Sequence, residues 1–140
     1  MDDVLDRGER FAFRSPLRTP LRLRVRRMTP ERSGVTVGAH TVWVQAGTWT
    51  MTIRFEEIAA VRVTEWPPRA HVGVHYLRHG RWLAAATPGP LATLDLDPAV
   101  TPTTVPRTAR LDLGLADPER FVSCITSRLS SDHRTPDAGG

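Results

Sequence analysis

Three histidines, His71, His75 and His79, recur at i, i+4 and i+8. On a helix that spacing stacks imidazoles on one face and suits a metal ion. The residues between them, Val72-Gly73-Val74 and Tyr76-Leu77, favour a strand instead. There, i,i+4 partners lie about 13 Å apart, too far to share one zinc. These side chains read as surface and turn histidines, and neither metal nor cofactor is expected. Cys124 is the single thiol. A nucleophilic cysteine needs a base within hydrogen-bonding reach, and nothing in the sequence nominates one, so it reads as a small, half-buried core residue. Glu56 and Glu57 are adjacent and point apart, while Asp95 and Asp97 alternate along a strand and read as its wet face. Glycosidase-type chemistry would need two carboxyls flanking a cleft in different environments. No Ser-centred elbow, Gly-rich phosphate loop or HExxH motif is present. All 19 basic residues are Arg, which excludes Schiff-base chemistry, a phosphate-loop lysine and a lysine general base. The expectation is a protein that is not an enzyme.

Two features point to binding. Arg22, Arg24 and Arg26 alternate with Leu21, Leu23 and Val25. On a strand this lines up three guanidinium groups about 6.6 Å apart, a candidate site for phosphates of nucleic acid or of anionic lipid. The competing and favoured reading pairs the row across strands with Asp95, Asp97 or Asp112, each pair contributing under about 1 kcal/mol at a surface. Nucleic-acid binding would also want aromatic residues interleaved with the arginines, and Phe11 and Phe13 lie outside the row. The second feature is Trp43, whose parity opposes that of Val42 and Val44. An outward Trp beside Thr41 and Gln45 is a candidate contact residue, because Trp is enriched at binding hot spots; the competing reading is a plug at the barrel end.

The elements that must position these residues are short alternating strands. Val35-Thr36-Val37, Thr41–Gln45, Trp49–Arg54, Ala60–Trp66, Val72–Leu77, Arg81–Ala86, Leu91–Asp97 and Ala109–Leu113 repeat with period two. Ala46-Gly47 and His79-Gly80 supply turns, the latter read as a two-residue hairpin. Phe55-Glu56-Glu57-Ile58 breaks the alternation and reads as one helical turn bridging two strands. The faces Trp49/Met51/Ile53 and Val61/Val63 read as core. Phe11-Ala12-Phe13-Arg14 reads as a short strand or an arm laid on the barrel. The period then changes. Asp117-Pro118 is a helix start, with Asp as cap and Pro at the first helical position. Phe121, Val122, Ile125 and Leu129 follow at helical spacing, giving a helix near 118–130. The division expected is a flexible N-terminus at 1–10, one domain at 11–130 and a disordered tail at 131–140. The fold expected is mainly β, about seven to eight strands closed by a C-terminal helix.

At 140 residues the chain is one domain in size and buries roughly two-thirds of its unfolded surface. The net charge is +4, and all of the excess lies in residues 1–32, where nine arginines face five acids. A lone cysteine argues for a reducing compartment. The polar N-terminus MDDVLDRGERF does not read as a signal peptide, and no window has the roughly 18 apolar residues of a membrane span. Cytoplasmic location is expected.

Residues 47–64, GTWTMTIRFEEIAAVRVT, resemble the strand–turn–strand signature of small actinobacterial proteins with a pleckstrin-homology-like fold. Trp66-Pro67, Gly73-Val74, the Arg81–Thr87 strand, Leu94–Val100 and the closing LDLGLADPERFVSCITSRL follow in the same order, over most of residues 33–130. One departure is Ile53-Arg54, where the pattern has Thr-Pro. The resemblance implies a split barrel of two near-orthogonal antiparallel sheets capped by a C-terminal helix, and little about activity. The function expected is a binding or interaction module acting on an unknown protein partner or by self-association, with homodimerisation through exposed strands. Anionic lipid or nucleic acid, held by the Arg row, is the alternative.

Overall fold

The computed structural model describes residues 8–14, 33–77, 79–97 and 108–138. Among these residues lie two sheets and one long helix. The first sheet has strands β1 (Glu9–Phe11), β2 (Ser33–Val37), β3 (Thr41–Ala46) and β4 (Trp49–Arg54) in the order β1-β2-β3-β4, all antiparallel. The second contains β5 (Ile58–Thr64), β6 (Gly73–Tyr76), β7 (Arg81–Ala85), β8 (Leu91–Leu96) and β9 (Arg110–Leu113) in the order β5-β8-β9-β7-β6. Helix α1 (Pro118–Ala138) follows.

Strict alternation explains the first sheet. Val35, Val37, Val42, Val44 and Ile53 are buried to 1% exposure or less, while Thr36, Trp43, Thr50 and Thr52 stand on the opposite face. Gly47, with φ 64°, is the first central residue of the two-residue β3–β4 turn, where glycine alone takes this conformation at no steric cost. A single 3-10 turn, Phe55–Glu57, carries the chain from β4 into the other sheet, as the broken alternation predicts.

Strand β1 begins at Glu9, inside the stretch expected to be a flexible N-terminus. Arg10 anchors it by donating from Nη2 to the Ser33 carbonyl at 3.1 Å. Beyond it the chain crosses to the second sheet. Arg14 N donates to Gly114 O and Ala116 N to Ala12 O, both at 2.9 Å, around a bridge between Phe13 and Leu115. Strand and arm are therefore one continuous segment joining the sheets.

In the second sheet β9 lies between β8 and β7, antiparallel to the former and parallel to the latter. This pair departs from the expected all-antiparallel arrangement. Strands β7 and β8 run in opposite directions, so a strand inserted between them must be parallel to one. Val63 is also corrected: it is 41% exposed, although Val61 packs against the core. The cause is position, since β5 is an edge strand with a register shift between Ile58 and Ala60. On β4, only Ile53 of the expected apolar face is fully buried, with Trp49 and Met51 packed partly against the core. The β6–β7 connection is longer than a two-residue hairpin, since Leu77 N donates to Arg81 O at 2.7 Å. His79 and Gly80 within it both take positive φ, 61° and 76°.

Helix α1 starts where expected. The Asp117 carboxylate accepts from Arg120 N–H at 3.1 Å, satisfying a donor that has no partner within the helix. Phe121 and Ile125 are fully buried. The Phe121 ring meets Phe11 edge-on, centroids 5.2 Å apart, and Arg120 lies 4.2 Å above the same Phe11 ring. Arg128 donates to Gly38 O at 3.2 Å. The helix thus fastens to the first sheet while packing on β5 and β8. Its backbone continues to Ala138, past the end expected near Ser130. No described helix is long and apolar enough to cross a membrane.

Candidate functional site

The wide strand spacing expected for His71 and His75 is corrected: their ring centroids lie 6.5 Å apart, because β6 begins only at Gly73 and His71 precedes it, and His75 Nε2 bonds the Val72 carbonyl at 2.7 Å. His79 stands in the β6–β7 turn. Among the described residues no three His, Cys, Asp or Glu side chains come together as a metal site. Cys124 is half-buried on α1. Burial, then the neighbouring Glu9, push its thiol above the usual range, with Arg128 opposing. A raised thiol is a weaker source of thiolate, the opposite of what a nucleophile needs.

The described carboxylates Glu56, Glu57, Asp95 and Asp112 are held by guanidinium groups. Arg54 pairs with Glu56 at 2.7 Å and with Glu57 at 2.9 Å. Glu56 is exposed and Glu57 buried, so the adjacent acids do diverge. Beside them His40, Thr41, Arg54, Phe55 and Glu56 line an open cleft of about 310 Å³. Asp95 takes a two-pronged bond from Arg62, at 2.9 and 3.3 Å.

A larger polar cluster occupies the face of the second sheet opposite the core. Asp112 has no exposed surface. Its oxygens accept from Arg81 Nε at 2.6 Å, Thr93 Oγ1 at 2.6 Å and Arg110 Nε at 3.0 Å. Thr93 lies 2.7 Å from the Thr64 hydroxyl. Asp112 stands between Leu83 on β7 and Thr93 on β8 in register. From the sequence, Asp112 is only a possible partner for the Arg row. The parities of Arg81, Arg110 and Asp112 are all outward, but only the parallel β7–β9 pairing brings them together. Chemically the cluster is closed, with a buried carboxylate whose oxygens accept from two guanidinium groups and one hydroxyl. Arg22, Arg24 and Arg26 themselves lie outside the described residues.

The open surface is on the first sheet. Trp43 is 38% exposed on β3, an interior strand. In register across the sheet, Arg10, Thr36, Trp43 and Thr52 form one row. Gly34, Gln45 and Thr50 form the next. The missing side chain at Gly34 makes room for Arg10, since a Cβ there would lie 2.6 Å from Arg10 Nη2. The result is a face of threonines, Gly34 and Gln45 around one indole, bordered by two guanidinium groups, Arg10 and Arg54. Aromatic residues are enriched at protein contacts, whose rims are polar. A second aromatic group joins the sheets: Trp49 lies 5.4 Å from Trp82, and Trp82 lies 5.2 Å from Tyr76. Tyr76 is 46% exposed, and its hydroxyl accepts from Gly80 N–H at 3.0 Å.

No family model, curated protein or solved structure matches the chain.

Proposed function

We propose that the chain is a non-enzymatic, cytoplasmic protein-interaction module of pleckstrin-homology-like architecture, and that it binds its partner through the outer face of the first sheet. The observation carrying this reading is Trp43, a 38% exposed indole at the centre of an ordered strand, where Thr36 and Thr52 flank it in register. Burying such a side chain against a partner removes a large apolar surface from water while ordering only two side-chain torsions. Support for a non-enzymatic role comes from the carboxylates, since Asp95, Asp112, Glu56 and Glu57 each face a guanidinium group. The architecture is supported by the two sheets and the closing helix, and the parallel β7–β9 pair is its point of difference.

The reading is tested with Trp43→Thr, which keeps strand propensity and deletes the indole. The variant is expected to keep the wild-type unfolding transition and to lose partner capture. Capture at the wild-type level would overturn it.

A further inference from the structure

Among the described residues four strands lie at sheet edges: β1, β4, β5 and β6. An exposed edge presents unpaired backbone donors and acceptors, and proteins usually blunt it with charge, proline, a bulge, shortness or a covering element. Strand β1 has three residues, two of them charged. Strand β5 carries a register shift, an arginine paired with Asp95, and helix α1 packed on it. Strand β6 has four residues. Strand β4 has six, TWTMTIR without its leading Thr, and neither charge, proline nor bulge between Trp49 and Ile53. Its one charge, Arg54, is at the end and held by Glu56 and Glu57.

The hydrogen-bond parity of this edge is readable. Phe55 N donates to His40 O at 3.0 Å, continuing the β3–β4 register in which Ile53 faces Val42 and Met51 faces Val44. In an antiparallel ladder, hydrogen-bonded and non-hydrogen-bonded pairs alternate. Trp49, Met51 and Ile53 therefore direct their N–H and C=O groups toward β3, and Thr50 and Thr52 direct theirs outward. Both threonines are exposed.

We propose that β4 is a strand-addition edge whose occupant is β4 of a second copy of this chain. An antiparallel pair centred on Met51 is isologous, as a two-fold contact must be. It sets Thr50 against the partner copy's Thr52, so that outward backbone groups meet outward groups. Met51 faces its own copy, and Trp49 faces Ile53. These residues share the inner face, and the half-buried Trp49 and Met51 gain apolar neighbours. Arg54 falls opposite Thr48, so no like charges oppose each other, a juxtaposition that would otherwise be destabilising. The product is one continuous eight-stranded sheet displaying Trp43 twice on the same side. The inference extends the interaction-module reading by naming one partner, but it uses the edge and not the indole.

Analytical ultracentrifugation of the full chain tests it, with weight-average mass expected to rise from the 15.6 kDa of one chain to twice that with concentration. Thr52→Pro removes an outward N–H, a position where a strand tolerates proline, and should hold the chain at the single-chain mass. Met51→Cys in a Cys124→Ser background should form a disulfide-linked dimer on mild oxidation, because facing Cα atoms in the pair fall within the roughly 4.4–6.8 Å that a disulfide spans. Trp43→Thr should leave the association unchanged, which separates failure of this inference from failure of the partner face. A single-chain mass up to about 1 mM, a dimer that survives Thr52→Pro, or a Met51→Cys chain that stays uncrosslinked would each overturn it. So would a monomer that adds an unrelated extended peptide at β4.

Discussion

Replacing Asp112 by Asn keeps the shape of the side chain and removes its charge from the most enclosed ion cluster described. The carboxylate has no exposed surface, whereas Arg81 and Arg110 retain 27% and 26% side-chain exposure. Breaking a buried pair costs about 3–5 kcal/mol, because the remaining charge is left without a partner in a poorly solvated place. Partial access of water to both guanidinium groups moves the expectation to the lower end, about 3 kcal/mol. For a chain of this length each kcal/mol is worth roughly 3–4 °C, so the melting temperature should fall by about 10 °C. Circular dichroism during thermal and urea unfolding measures it, with the urea midpoint moving and the slope unchanged. Arg62→Gln is the internal comparison. Its pair with Asp95 is 50% and 32% exposed, and its loss should cost under about 1 kcal/mol. If Asp112→Asn also costs less than about 1 kcal/mol, the cluster does not hold the sheet as described.

Cys124 should be alkylated more slowly than a free thiol at pH 8, and denaturant should abolish the difference, as rates of iodoacetamide labelling will show. Its folded pKa is raised, so its contribution to stability is complete below the unfolded value near 9.0 and is lost as pH climbs through the folded one. Stability should accordingly decline on the alkaline side faster in wild type than in Cys124→Ser, measured by urea midpoints. The triple change Arg22→Ala, Arg24→Ala, Arg26→Ala should leave retention on heparin and on anionic vesicles unchanged. A loss of binding with a shallower salt dependence would instead favour the anion-binding alternative.

Most of the strands were legible because alternation writes period two into the sequence, most plainly in β3 and β4, whose faces alternate between buried and open, whereas β7, β8 and β9 are buried on both faces. Trp43 could be placed outward from Val42 and Val44 alone, and Asp117-Pro118 marked the helix start from cap chemistry. What local pattern does not encode is which strands become neighbours. Val63 has core parity but sits on an edge beside a register shift. Asp112 looks like an ordinary outward acid until β9, lying between β8 and β7, pairs in parallel with β7 and brings Arg81 to it. The same holds for Glu9 and Arg10, which are polar in sequence yet belong to a strand because Arg10 reaches Ser33 across 23 positions.

Under the proposed function Trp43 anchors a partner on the first sheet. The most direct measurement is quantitative recovery of bound protein by the immobilised full chain, comparing wild type, Trp43→Thr and Tyr76→Ala. A hot-spot indole contributes about 2 kcal/mol or more, so Trp43→Thr should lower affinity for the recovered partner roughly thirtyfold, while Tyr76→Ala, exposed on the other sheet, should leave it unchanged. Equal affinity in all three proteins, or an equal loss in both variants, would contradict the account.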